Sequence, residues 1–170
     1  MLRSGSLLGG KLRPHGSENG FSVAELVVVV AIILIVAAIS VPIVNNATAM
    51  YRLRGAISNV TGAIQSTRYQ AIYQGYSYQA VFDATAKTYQ VQSKPIGAAA
   101  FSNVGTASVW SESAQAVTLD ANITLTFTPG GKVTLNNNTA QCPCQMTMTY
   151  PGRTPEVITV SAYGDINVNP

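Results

Sequence analysis

Charged side chains are scarce in this chain, at 10% of its 170 residues, and its single histidine, His15, lies in a basic N-terminal stretch. If that stretch is lost, no imidazole remains, which removes Ser-His-Asp and Cys-His nucleophiles and imidazole-bound metals. Glu112, Asp120, Glu156 and Asp165 are widely separated single acids. They read as solvated surface charges rather than a working carboxylate pair. No catalytic residue, metal or cofactor is expected. Cysteine is nearly absent too: the two present form Cys142-Pro143-Cys144. In an extended strand both sulfurs face one side, and two thiolates without histidine make a poor zinc site. A bridge closing so small a ring is expected to be strained, since good geometry wants Cα atoms about 5.5–6 Å apart. The pair therefore reads as a structural turn, as a bridge formed in an oxidising compartment, or as an intersubunit contact.

What the chain has instead is one long apolar run, Leu26 to Ile39, without a polar side chain. As a helix that run covers about 21 Å, short of a bilayer core, whereas Phe21 to Val44 covers about 36 Å, enough to span one. It is apolar on every side, so it is not an amphipathic surface helix; it needs lipid or a packed bundle of its own kind. Glu25 is the anomaly. A carboxylate at membrane depth costs a few kcal/mol and is usually paired. No Lys or Arg lies between Arg13 and Arg52. A cut between Gly20 and Phe21 would create an α-amino group one helical turn before Glu25, in the same chain or a neighbour. The plainer reading puts Glu25 at the headgroup boundary of a helix N-terminus, where the dipole favours it.

Residues 1–20 are polar and turn-rich, with Arg3, Lys11 and Arg13 against Glu18, and they end in Gly20. A secretory signal loses its apolar region on cleavage; here the natural cut precedes that region and keeps it. Gly20, Phe21, Glu25, the apolar helix and Pro42 near its end together resemble the type IV prepilin signal. The resemblance implies cleavage after Gly20 and N-methylation of Phe21 by a prepilin peptidase. Removing the leader leaves seven basic and six acidic residues, so the formal charge of +3 overstates the mature chain's basicity. That near neutrality speaks against generic attraction to nucleic acid or anionic lipid. The basic leader is expected to stay on the cytoplasmic side while the rest crosses.

After Pro42, which is expected to kink or loosen the helix, a second pattern begins near Tyr51. Leu53, Ile57, Val60, Ile64, Thr67 and Ala71 recur at three- and four-residue steps, opposite Arg54, Ser58, Thr61, Gln65 and Arg68. This predicts an amphipathic helix over 51–74, continuous with the apolar run and stopped by Gly75. Gly55 and Gly62 weaken it by about 1 kcal/mol each relative to Ala. Beyond Gly75 a hairpin is predicted over 76–91, a loop over 93–108, and short strands near 117–119, 123–128, 132–135, 145–150, 156–160 and 166–168. Turn residues separate them, and the spacing indicates an antiparallel meander or sandwich. The fold class is α+β: a long N-terminal helix packed on an antiparallel β-sheet head. The domains read as leader 1–20, membrane or filament-core helix 21–44, and head 45–170.

This layout resembles the pilin plan, and in detail the GspH/FimT family of minor pseudopilins and minor pilins. The carrying residues are Arg52-Leu-Arg-Gly55, Gln65 to Ile72, the segment Thr124 to Gly131, and Val157 to Val160 followed by Gly164. The resemblance implies a non-enzymatic subunit of a type II secretion pseudopilus or a type IV pilus, assembling from the bacterial inner membrane with its head in the periplasm. The partners implied are other pilin or pseudopilin subunits, a prepilin peptidase and inner-membrane lipid. Two alternatives stay open: a major pilin, and a minor pilin whose head binds DNA or an adhesive ligand. DNA-capturing members carry Gly-Arg-x-Arg near the C-terminus; here the place reads Gly164-Asp165-Ile166-Asn167, and Arg153 stands alone upstream. Without clustered cations the DNA reading ranks below assembly. Tyr69, Tyr73, Tyr76 and Tyr78 are expected to pack where helix meets sheet, their hydroxyls in water, rather than to stack on bases.

Overall fold

The computed structural model describes residues 20–111, 117–136 and 140–170. Leader residues 1–19, Glu112 and most of the asparagine turn at 136–138 lie outside the described residues. The chain forms two compact units, one ending at Pro42 and the other running from Ile43 to Pro170. One helix, α1 (Val23–Gln74), contributes to both and is helical through Pro42. It begins where the Ser22 carbonyl and hydroxyl both accept the N–H of Glu25, at 3.1 and 3.2 Å, which satisfies a donor that a helix N-terminus otherwise leaves free. It ends at Gly75, whose φ of 74° suits a residue without Cβ and whose N–H reaches the Ala71 carbonyl at 3.1 Å.

In the first unit the helix buries nothing. Side chains from Leu26 to Val41 are exposed along the whole apolar run, and the helix is long and apolar enough to cross a membrane.

In the second unit the stripe predicted from periodicity is the buried one: Leu53, Ile57, Val60, Ile64, Thr67 and Ala71 all lie in the interior, joined by Ala56 and Ala63. Thr67 fits there because its hydroxyl donates back to the Ala63 carbonyl at 2.7 Å, leaving its methyl to the core.

Eleven strands are described: β1 (Ser77–Asp83), β2 (Thr88–Lys94), β3 (Ser102–Asn103), β4 (Ser108–Val109), β5 (Thr118–Leu119), β6 (Ile123–Phe127), β7 (Val133–Leu135), β8 (Ala140–Gln141), β9 (Cys144–Thr149), β10 (Glu156–Val160) and β11 (Ile166–Asn169). They make two antiparallel sheets. The first runs β3-β2-β1-β6-β7-β8 with β4 also on β2; the second runs β11-β10-β9-β5. The strands near 123–128, 132–135, 145–150, 156–160 and 166–168 appear within two residues of the expected bounds. The loop expected over 93–108 is less open than its composition suggested. β2 extends to Lys94, and the excursion returns twice to pair with it as β3 and β4. β8 was likewise not foreseen. Two-residue strands carry no alternation to read.

Inward residues of both sheets meet the helical stripe in one core. Phe82, Leu125, Phe127, Val133, Met146, Met148, Ile158 and Val160 are completely buried. Trp110 and Val117, flanking the undescribed segment, are buried with them. Ile64, completely buried at the centre of the stripe, is the sensitive position. Ile64→Ala is expected to lower unfolding stability by about 2–5 kcal/mol. Ser58→Ala on the exposed side should change it by less than about 0.5 kcal/mol. Denaturant titration of the detergent-solubilised protein distinguishes the two.

Candidate assembly surfaces

The N-terminal region groups the residues on which assembly was expected to depend. Phe21 is 83% exposed, Gly20 precedes it outside the helix, and Glu25 sits exposed in the first turn. The Ser22 contact has a sequence counterpart: Ser22-Val23-Ala24-Glu25 has the serine–glutamate spacing of a capping box. Glu25 thus occupies the turn where a helix dipole favours an anion. Beyond it the exposed side chains are apolar for four turns. On a single chain in water such a surface is strongly unfavourable, at roughly 25 cal/mol per Å². It marks a face that something else covers.

The head joins its parts with a few specific contacts. Cys142 and Cys144 are linked by a disulfide, with Cα atoms 4.5 Å apart, at the short end of the range such bridges occupy. Both cysteines are buried, Pro143 is exposed, and the bridge sits where the chain leaves β8 in the first sheet and enters β9 in the second. The bridge therefore fixes a crossover between sheets. Nearby, the Arg153 guanidinium donates to the Asn46 carbonyl at 2.6 Å and to Asn46 Oδ1 at 3.3 Å, tying the β9–β10 turn to α1.

The four tyrosines divide into two pairs. Tyr76 and Tyr78 stack at 5.2 Å with hydroxyls 3.2 Å apart, Tyr78 buried and Tyr76 half-buried. The hydrogen bond with the Tyr76 hydroxyl, then burial, pushes the Tyr78 phenol up to about 12. Tyr69 and Tyr73 depart from the expected packing at the helix–sheet junction. They stack on each other at 5.9 Å, one helical turn apart, and remain 67% and 73% exposed. The scattered acids serve local turns: Asp120 Oδ1 accepts the Ala121 N–H at 3.0 Å, and Asp165 Oδ2 accepts the Ser161 hydroxyl at 3.1 Å.

Gly164 has a role that composition could not reveal. Its φ is 82°, and a Cβ placed on it would lie 2.6 Å from Arg68 Cδ and 2.8 Å from Nε. Arg68 therefore lies flat on the Gly164 backbone, its Nε buried without a hydrogen-bond partner. With Gln65, Tyr69, Ile72, Asp165 and Ile166 they line a hollow of about 530 Å³ between α1 and the start of β11.

No family model matches the chain. The fold is similar to that of the type IV minor pilin FimU from Pseudomonas aeruginosa. One crystal form matches with a TM-score of 0.53 and 18% identity, covering 72% of this chain and 92% of that one. A second crystal form of the same protein matches at a TM-score of 0.47 and 16% identity, covering 69% and 92%. A helix long and apolar enough to cross a membrane and an antiparallel head thus combine here as a pilin-like α+β fold.

Gly164→Ala is expected to destabilise the head by more than about 1 kcal/mol, through both the φ and the collision. Arg68→Ala in the same chain should return the collision part and leave the φ part. A double-mutant cycle on unfolding free energy measures the difference, and strict additivity would show that the two residues do not press on each other.

Proposed function

We propose that the chain is a non-enzymatic minor pseudopilin or minor pilin of the GspH/FimT type. In this reading residues 1–20 are a leader removed by a prepilin peptidase after Gly20, and Phe21 becomes the N-methylated first residue. Residues 21–44 anchor the chain in the bacterial inner membrane, N-terminus cytoplasmic and head periplasmic. Subunits then leave the membrane by packing these helices against one another in a type II secretion pseudopilus or a type IV pilus.

The observation that carries this reading is the exposed apolar surface of α1 with a single carboxylate, Glu25, at its start. Lipid covers such a surface, and so does a bundle of like helices. A lone carboxylate entering either one needs a cation. The amine freed at Phe21 is the nearest source, since no Lys or Arg follows until Arg52. Within one chain that amine is about one turn away, and a neighbour displaced along the filament axis brings its own to the same depth. Pairing between neighbours would then set the stagger of subunits. The fold likeness to a type IV minor pilin supports the reading from the head's side.

Glu25→Ala is expected to leave membrane insertion intact, because it removes a charge from the apolar segment. It should cut incorporation into filaments by about tenfold or more, the equivalent of losing one desolvated pair worth a few kcal/mol. Immunoblots of sheared filaments against membrane fractions read both quantities. Unchanged incorporation would contradict the role given to Glu25.

A further inference from the structure

The second sheet ends in an open edge. Among the described residues β11 pairs with β10 on one side and with no strand on the other, and it is four residues long, whereas the other terminal strands described, β3, β4, β5 and β8, have two each. Its ladder can be phased. Ser161 N–H donates to the Asp165 carbonyl at 2.9 Å, so the hydrogen-bonded pairs that follow are Thr159–Asn167 and Val157–Asn169. The N–H and C=O of Ile166 and Val168 therefore point away from β10. Among the described residues, no hydrogen bond takes them up.

This edge borders α1 along a seam with two hollows. One is the space of about 530 Å³ beside Arg68 and Gly164. The other, about 640 Å³, lies between Arg54, Ser58 and Thr61 on the helix, Glu156 and Val168 on the sheet, and Pro170 just beyond β11. Ile166 and Val168 are half-buried on the inner side, while Asn167 and Asn169 are exposed on the other. Charges along the seam balance, Arg54 and Arg68 against Glu156 and Asp165. That balance does not suit a polyanion, which needs clustered cations. An extended polypeptide fits instead. Its backbone can meet the outward groups of Ile166 and Val168, and alternate side chains can enter the hollows against the helix.

The geometry points to β11 as an acceptor edge for an extended segment of a neighbouring subunit's head, which adds to the second sheet as a fifth strand antiparallel or parallel to β11. The source of the segment rests on the assembly reading; the open edge does not.

Its test uses the full chain in its native host, with the photocrosslinker p-benzoylphenylalanine at Asn169 and, as a control, at Thr118 on the opposite edge. An adduct to another pilin-type subunit is expected from position 169 and not from 118. Val168→Pro removes one outward N–H without touching the ladder to β10 and should lower the adduct by about tenfold, with the head still protease-resistant. If that variant loses protease resistance, Ser58→Trp decides, because it fills the seam from the exposed helical side; an undiminished adduct there overturns the proposal. So does a chain that enters filaments with no adduct at 169, or one whose adduct ignores Val168→Pro in a folded head. A chain that stays out of filaments yet forms the Val168-dependent adduct in membranes would remove the assembly reading and support the edge.

Discussion

Removal of apolar side chains from water governs both parts of α1, by different means. From Leu53 to Ala71 the helix has a stripe, and its own chain supplies the cover: two antiparallel sheets whose inward residues close over Val60, Ile64 and Thr67. From Leu26 to Ile39 it has no stripe, only apolar surface all round, and these side chains are exposed. A folded head needs the first condition. The second leaves a demand that only lipid or other helices meet. The proposed assembly role follows from that unmet demand and from Glu25 at its edge.

The head is built to present a fixed surface. The disulfide locks the short connection between the two sheets, while the Arg153 clasp on Asn46 and the Arg68–Gly164 contact tie segments distant in sequence. Two of them engage arginines, Arg68 on α1 and Arg153 in the β9–β10 turn, so both side chains are partly occupied by contacts within the head. This bears on nucleic acid: the cations available to phosphate are fewer than a count suggests, and those along the β11 seam are matched by acids.

Much of the fold was legible because the signals were periodic. Every position of the i, i+3, i+4 recurrence from Leu53 to Ala71 is buried, while the buried Ala56 and Ala63 beside it were not part of the predicted stripe. Turn residues such as Pro129-Gly130-Gly131 and Pro151-Gly152 bounded β6, β7, β9 and β10 to within two residues. Features that depend on single residues or on tertiary geometry were not legible. β3, β4 and β8 are too short to alternate. The order of strands cannot be read from spacing, so neither the open edge of β11 nor the hollows beside it could be foreseen. Tyr69 and Tyr73 were placed in the junction because four tyrosines fall within ten residues, yet the helix turns these two outward. Gly164 reads as a turn residue, and only the tertiary fold brings Arg68 to where its Cβ would be. Ser22 was visible in the sequence with Glu25 three residues on, and the capping spacing was the signal that could have found it.

The central claim is that Phe21 starts the working chain and that its amine meets Glu25. The most direct measurement is intact mass, with N-terminal fragment sequencing, of the protein recovered from membranes of its native host. The account predicts a chain beginning at Phe21 with one methyl group on its amine. A chain recovered with residues 1–20 attached would leave Glu25 without its cation and contradict the account.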